Sequence, residues 1–418
     1  MTISEQFPRY TQFDPVVPVW CVTPDEGGCF HRFFDTSPIS PSGRYLACLR
    51  MPDESRLPRV GESADVVLVD LEAGTQKVVY QTCGWDTQMG ANINWGASDN
   101  ELIFNDVDKS NWKPVTVKLD PQTGKAEKFG RGVYHVSPDG TAALCCSLEK
   151  MGRTQWGYGV RIPEEEVPVN WELQDDDGLF HTDLQTGEVK LLHSLKDLIE
   201  KYVPERERPA IASHCYYGFH SKWAPSGDRI LFTVRAVAAP WALRYDNIGT
   251  PLMFYIFTMK PDGSDLNLAM DASFWNRRGH HINFAPDGKS LTLNHVLHFD
   301  HMRFVQSTLD GSEKHVMTEA VLGSGHPTLH PDGRHILTDC YQHEPMTAGD
   351  GTIPLRWVNI ESGDEQHIVR INTGEKSGVP ALRIDAHPAW DPTWKWVTFN
   401  GAPDGTRRVF VANMSGLL

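Results

Sequence analysis

The chain has 418 residues, 40% hydrophobic and 22% charged, with no long polar or Pro/Ser-rich run, so it is globular and large enough to bury a sizeable core. A formal net charge of -15 without any Lys/Arg cluster argues against nucleic acid or an anionic membrane surface as a partner. The opening MTISEQFPRYTQFDP lacks the basic start and apolar run of a signal peptide, and no apolar run is long enough to span a bilayer. A cytoplasmic protein is therefore expected, with its eight cysteines as free thiols.

A turn tetrapeptide recurs along the chain: SPSG at 40, ASDN at 97, SPDG at 137, APSG at 224, APDG at 285, HPDG at 330 and DPTW at 391. After each comes a short run rich in β-branched and apolar residues: RYLACLRM, ELIFNDV, TAALCCSL, RILFTVR, SLTLNHV, HILTDCY and WVTFNGA. Proline presets φ and glycine accepts positive φ, so each tetrapeptide predicts a tight hairpin. The following run often reaches a second polar turn, as in VVLVDLEAGTQKVVY and VTVKLDPQTGKAEKF. Two hairpins per unit make a four-stranded blade, and seven units predict an all-β, seven-bladed β-propeller. A single domain over 1–418 is expected, with an N-terminal segment closing the last blade. An insertion at about 150–215 carries SLKDLIEKYVPERERP as a short amphipathic helix.

Four histidines share one repeat position: His220, His281, His326 and His387 each stand four residues before a turn tetrapeptide. The innermost strand of a blade faces the central channel, so the four predict a ring around the axis. Imidazole suits zinc, manganese, copper or iron, and ligands from separate strands hold a rigid geometry. The expected cofactor is a divalent ion such as zinc, manganese or calcium, with Asp339 and Cys340 of ILTDCY as further candidate ligands.

A second set has the composition of a sugar-acid site. GWDTQMGANINWG offers Gln88, Asn92 and Asn94 between Trp85 and Trp95; Asn105, Tyr134 and His135 follow, then Lys150, Arg153 and Tyr158, and finally Tyr216 and Tyr217. Amides and cations bind a carboxylate, a tyrosine moves a proton, and aromatic faces stack on sugar rings.

These stretches, with GHHINFAPDG and GHPTLHPDGRHILTDCY, resemble the seven-bladed propeller polysaccharide lyases: ulvan lyases, rhamnose-glucuronate lyases and, more distantly, oligogalacturonate lyases. The resemblance implies cleavage of a glycosidic bond beside a uronic acid by β-elimination, on an imported uronate-containing oligosaccharide. It implies that Tyr134 is base, acid or both, that Lys150 stands near a catalytic arginine with Arg153 as the competing choice, and that Gln88 and Asn105 stand where some relatives carry carboxylate-binding histidines. Without those histidines, either the amides neutralise the carboxylate or the proton chemistry moves to His135, His220 or a metal-bound water. In the oligogalacturonate branch a channel metal polarises the carboxylate, and the four-histidine ring fits that logic; in the ulvan branch such a metal is structural. Two other functions stay open, a non-eliminating sugar-acid isomerase or dehydratase and a non-catalytic binding propeller. A prolyl-oligopeptidase-type enzyme is disfavoured, since GSGHP is no GxSxG elbow.

Overall fold

The structure is a computed structural model that describes residues 1–168, 172–209, 213–238, 252–298, 300–374 and 379–418. Seven four-stranded antiparallel sheets follow one another along the chain as blades of a β-propeller. Blade 1 runs from Cys29–Phe30 to Thr75–Thr82, blade 2 from Asn94–Trp95 to Ala126–Gly130, and blade 3 from His135–Val136 to Val189–Ser194. Blade 4 spans His214–Trp223 to Asn267–Met270, blade 5 Gly279–Phe284 to Lys314–Val316, and blade 6 Thr328–Leu329 to Glu365–Asn372. Blade 7 takes its three inner strands from Ala389–Trp390, Trp396–Gly401 and Arg408–Asn413, and its outer strand is Val19–Cys21, with Trp20 opposite Val411.

Each turn tetrapeptide closes the hairpin between the first and second strands, and the apolar residues beyond it fill the space between blades: Val66, Phe104 and Leu102 between blades 1 and 2, Phe232 and Leu144 between blades 3 and 4. The run TAALCCSL departs from its strand expectation. Its strand stops at Cys145, because Ser147 accepts a hydrogen bond from the Lys150 backbone N–H (3.3 Å) and caps a helix over Leu148–Thr154. SLKDLIEKYVPERERP does form a helix, Leu195–Tyr202, capped by Ser194 and burying Leu195, Leu198 and Ile199. Residues 169–171 and 210–212 of the expected insertion lie outside the described residues. Among the described residues no helix is long and apolar enough to cross a membrane.

Two irregularities position the channel. The innermost strand of blade 4 shifts register between Gly218 and Ser221, and that of blade 5 between His280 and Asn283. Such bulges re-aim side chains beside functional sites, and these two fall on His220 and His281. His281 and His387 also hold positive φ, 56° and 48°, a conformation that costs energy for a residue with a Cβ and persists only where its surroundings impose it.

Candidate active site and metal centre

The four histidines converge. The His281 and His326 rings stack with centroids 4.0 Å apart, and His326 meets His387 at 4.3 Å. Phe33, from blade 1, sits among them with its ring centroid 5.4 Å from His220, 6.0 Å from His281, 5.4 Å from His326 and 4.7 Å from His387. Phe34 packs behind it at 4.7 Å. An aromatic plug thus closes one side of the ring.

His326, His387 and Asp385 form the cluster able to hold a metal ion: one ligand atom from each lies within 4.8 Å of the others, and all three are buried. Asp385 was not anticipated. Asp339, expected as a ligand, stands behind the cluster. Its carboxylate accepts from His326 Nδ1 (2.9 and 3.0 Å), from the His326 backbone N–H (2.8 Å) and from the His387 backbone N–H (3.1 Å). Burial alone would raise the Asp339 carboxyl; the His326 ring and these N–H groups outweigh it and hold it below its ordinary value. With Nδ1 engaged, His326 has Nε2 left for a metal, and His387 keeps a buried Nδ1 with no partner. Cys340 does not join. It packs among Val17, Leu337 and Trp390, and burial pushes its thiol far above the usual range. His281 donates Nδ1–H to the Gly325 carbonyl (2.5 Å) and takes a Tyr341 hydroxyl contact at Nε2 (3.3 Å), placing it beside the cluster.

Next to the ring lies a cavity of about 70 Å³ lined by Phe33, Tyr158, Phe219, His220, Thr233, Arg235, Phe254, Trp275, His280, His281 and Ile282. The Tyr134 hydroxyl and His220 Nδ1 form a short hydrogen bond, so Nε2 is the nitrogen left toward the cavity. Burial, reinforced by the Lys222 and Arg235 charges, holds His220 well below the usual imidazole value and neutral. Tyr134 itself is 1% exposed and absent from the cavity wall, and burial pushes its phenol up. Arg235 is the cation of this cavity. Its guanidinium lies 3.3 Å over the Phe219 ring and 4.5 Å over Phe254, it donates to Gln155 Oε1, and among the described residues no carboxylate pairs with it. Burial lowers its pKa, the expected cost of desolvating a cation.

Most of the remaining expected site residues are held by partners within the fold. Lys150 is buried in an ion pair with Asp177 (2.7 Å) that lines a separate cavity between blades 2 and 3, away from the ring. Arg153 donates to the Pro168 carbonyl (3.2 Å). Asn105 Oδ1 accepts from Val133 N–H (2.6 Å), Trp85 donates to the Glu62 carbonyl (2.8 Å), and Trp95 to that of Pro38 (2.9 Å). Asn92 holds a positive φ of 48° in its loop, and Asn94 accepts from Arg32 (2.9 Å). His135 accepts the Trp223 backbone N–H (2.9 Å), Tyr216 donates to Pro209 (3.0 Å), and Tyr217 to Gln155 (2.9 Å). Gln88 does reach the site indirectly: its amide donates to the Ala381 (2.8 Å) and Arg383 (3.2 Å) carbonyls. Arg383 in turn bonds Asp385 (2.8 Å) and donates to the Tyr158 hydroxyl (3.0 Å), and Tyr158 lines the cavity beside the ring.

No known family profile and no curated protein matches this sequence. Solved structures do. An oligogalacturonate lyase in complex with manganese is similar at a TM-score of 0.62 with 14% identity, over 99% of this chain and 98% of the other. An oligogalacturonate lyase from Vibrio parahaemolyticus is similar at 0.61 with 15% identity, over 99% and 97%. At such identity the likeness is one of fold along the whole chain.

Proposed function

We propose that this protein cleaves a uronate-containing oligosaccharide by β-elimination, with His220 as the base and Arg235 holding the sugar carboxylate. The observation that carries the reading is Arg235: a buried guanidinium that meets the uncharged Gln155 and Tyr217 side chains and no carboxylate among the described residues, in the same small cavity as a neutral histidine. A carboxylate ligand supplies the missing counter-charge, and bidentate pairing with a guanidinium is the strong form of that contact. The fold shared with two oligogalacturonate lyases supports the same substrate class over the ulvan and rhamnose-glucuronate types.

His326, His387 and Asp385 would hold a divalent metal ion, and two imidazole nitrogens with one carboxylate oxygen suit manganese, zinc or iron better than calcium, which prefers all-oxygen sites. When bound, such an ion supplies Lewis-acid polarisation of the uronate carboxylate, which acidifies the proton on C5. His220 in the tautomer that gives Nδ1–H to the Tyr134 oxygen presents a lone pair at Nε2 and takes that proton. The C4–O bond breaks, its electrons leave with the oxygen, and the C5–H pair becomes the C4–C5 double bond. Tyr158 gives the departing oxygen its proton and is reprotonated from solvent as His220 releases its own. Phe33 and Phe34 close the channel behind the ring and exclude water from the reacting carbons.

The test is the ultraviolet absorbance of an unsaturated uronate during incubation with oligogalacturonides. The expected result is a rise with the wild-type protein, a fall in rate of about 10²- to 10⁴-fold in His220→Ala, and loss of activity after chelation that manganese restores. A flat trace with folded, metal-loaded protein across galacturonate and glucuronate oligosaccharides sinks the lyase reading and leaves a non-eliminating sugar-acid enzyme or a binding propeller.

A further inference from the structure

The cavity between blades 2 and 3 has a volume of about 550 Å³ and lies away from the ring. Its wall takes in the first turn of the helix Leu148–Thr154, so that Glu149, Lys150 and Asp177 stand together on it, all three buried. Lys150 pairs with Asp177 (2.7 Å), which leaves Glu149 as the surplus charge. Glu149 is 5% exposed, and among the described residues no hydrogen bond or ion pair reaches its carboxylate. Its oxygens are not sealed inside the protein: they keep accessible surface on the cavity wall. A carboxylate withdrawn from bulk water without a partner is costly, so this one favours a cation in the cavity. Among the described residues no cluster of metal-ligating side chains includes Glu149, and an organic ammonium, which needs no such shell, fits it better than a metal ion.

The same wall carries the complementary group. The Arg131 guanidinium lies 3.7 Å over the Phe180 ring, held by stacking, and among the described residues no carboxylate pairs with it. Arg131 also holds a positive φ of 86°, a conformation that persists in a residue with a Cβ only where its surroundings impose it. Burial pushes the Cys145 thiol up, the Glu149 charge adds to that and the Arg131 charge opposes it, so both charges stand within electrostatic reach of one atom. They are neighbours that do not pair with each other. An unpaired anion beside an unpaired cation matches a zwitterion, whereas a ligand of one sign would leave one of the two unmet and repel the other. Pro114, Val115 and Val189 add apolar surface to the wall.

We infer that this cavity binds a free α-amino acid with an aliphatic side chain, its ammonium on Glu149, its carboxylate on Arg131 and its side chain against Pro114, Val115 and Val189. An ammonium brings three N–H donors to the Glu149 oxygens, and a guanidinium takes a carboxylate through two parallel hydrogen bonds. The site is separate from the proposed elimination site, whose Arg235 and His220 line a different cavity.

Isothermal titration calorimetry of the full chain with L-leucine, L-valine and L-proline tests this. The controls are N-acetyl-L-leucine, which lacks the ammonium, L-leucinamide, which lacks the carboxylate, and putrescine and D-galacturonate, which carry one sign of charge only. The expected result is saturable binding of at least one of the three amino acids, weakened about tenfold or more when the ligand loses either charge and in Glu149→Gln or Arg131→Ala, and unchanged in His220→Ala. Thermal melts give a second reading. Because Glu149 has no partner in the protein to lose, Glu149→Gln is expected to melt at or above the wild-type temperature and to lose the upward shift that the bound amino acid gives the wild type. Four outcomes overturn the inference: no heat with any of the three amino acids; amino-acid binding that both variants leave intact; binding of putrescine or galacturonate alone, which makes the cavity a site for a single charge; or a Glu149→Gln protein that melts well below the wild type, which makes Glu149 a structural group.

Discussion

A histidine with one ring nitrogen held keeps a single tautomer, and two buried partners do this work here: Tyr134 for His220 and Asp339 for His326. If Tyr134 acts only through His220, Tyr134→Phe removes one hydrogen bond and leaves the base in place. The expected fall in kcat is about tenfold, the worth of one such bond, with KM unchanged. Steady-state kinetics on oligogalacturonide distinguish this from a fall of three decades or more, which would make Tyr134 the reacting group. Asp339→Asn is expected to weaken metal binding about 10- to 100-fold, the usual effect of losing a ligand's outer partner. Competition against a chromogenic chelator reads this without reference to turnover, and unchanged affinity would remove Asp339 from the metal site. The four ring histidines were legible because a repeat marks them; Asp385 was not, because the positions two residues before the other three are Gly218, Gly279 and Ser324. Arg235 was equally hidden, since nothing in a strand such as RILFTVRAV says which of its residues meets a cavity.

At the scale of single elements, the hairpins follow from local chemistry and the helix Leu148–Thr154 does not. The proline-glycine tetrapeptides carry their own φ preferences, so seven blades can be counted without tertiary knowledge. LEKMGRT, by contrast, is short and holds Gly152 mid-helix, a poor helix former. Packing selects that glycine: a Cβ there would lie 2.2 Å from the Val160 carbonyl oxygen. The helix sets Lys150 against Asp177 in a pair whose side chains are 3% and 6% exposed. This placement predicts a stability role where the resemblance to ulvan lyases implied a catalytic one. Lys150→Ala strands a buried carboxylate and is expected to cost about 3–5 kcal/mol, whereas Lys150→Met with Asp177→Leu removes both charges and restores most of it. Denaturant unfolding measures both, and activity per folded molecule should stay near wild type. A variant of full stability that has lost kcat would reinstate Lys150 as a catalytic group.

A propeller exposes two free edges unless its ends meet, and in this molecule the meeting is made by the first residues of the chain. Val19–Cys21 completes blade 7 against Arg408–Asn413, and Arg9 pairs back onto Trp20. The segment brings Phe7, Tyr10, Val17, Val19 and Val22 into the core, each at most 7% exposed. At roughly 1.5–3 kcal/mol for each large apolar side chain buried, their loss is on the order of 10 kcal/mol. A domain is stable by only about 5–15 kcal/mol, so removal of residues 1–22 consumes most or all of that margin. It also uncovers the backbone of Arg408–Asn413 as an open sheet edge, a template for association between chains. The truncated chain is therefore expected to lose its cooperative calorimetric transition and to aggregate, and a synthetic peptide of residues 1–22 added in trans should recover part of both. Because the plug and the metal cluster come from blades 1, 6 and 7, which meet at this closure, metal binding should fail together with the transition. A truncated chain that melts within a few degrees of the full one and still binds metal would show that the ring holds without its closing strand.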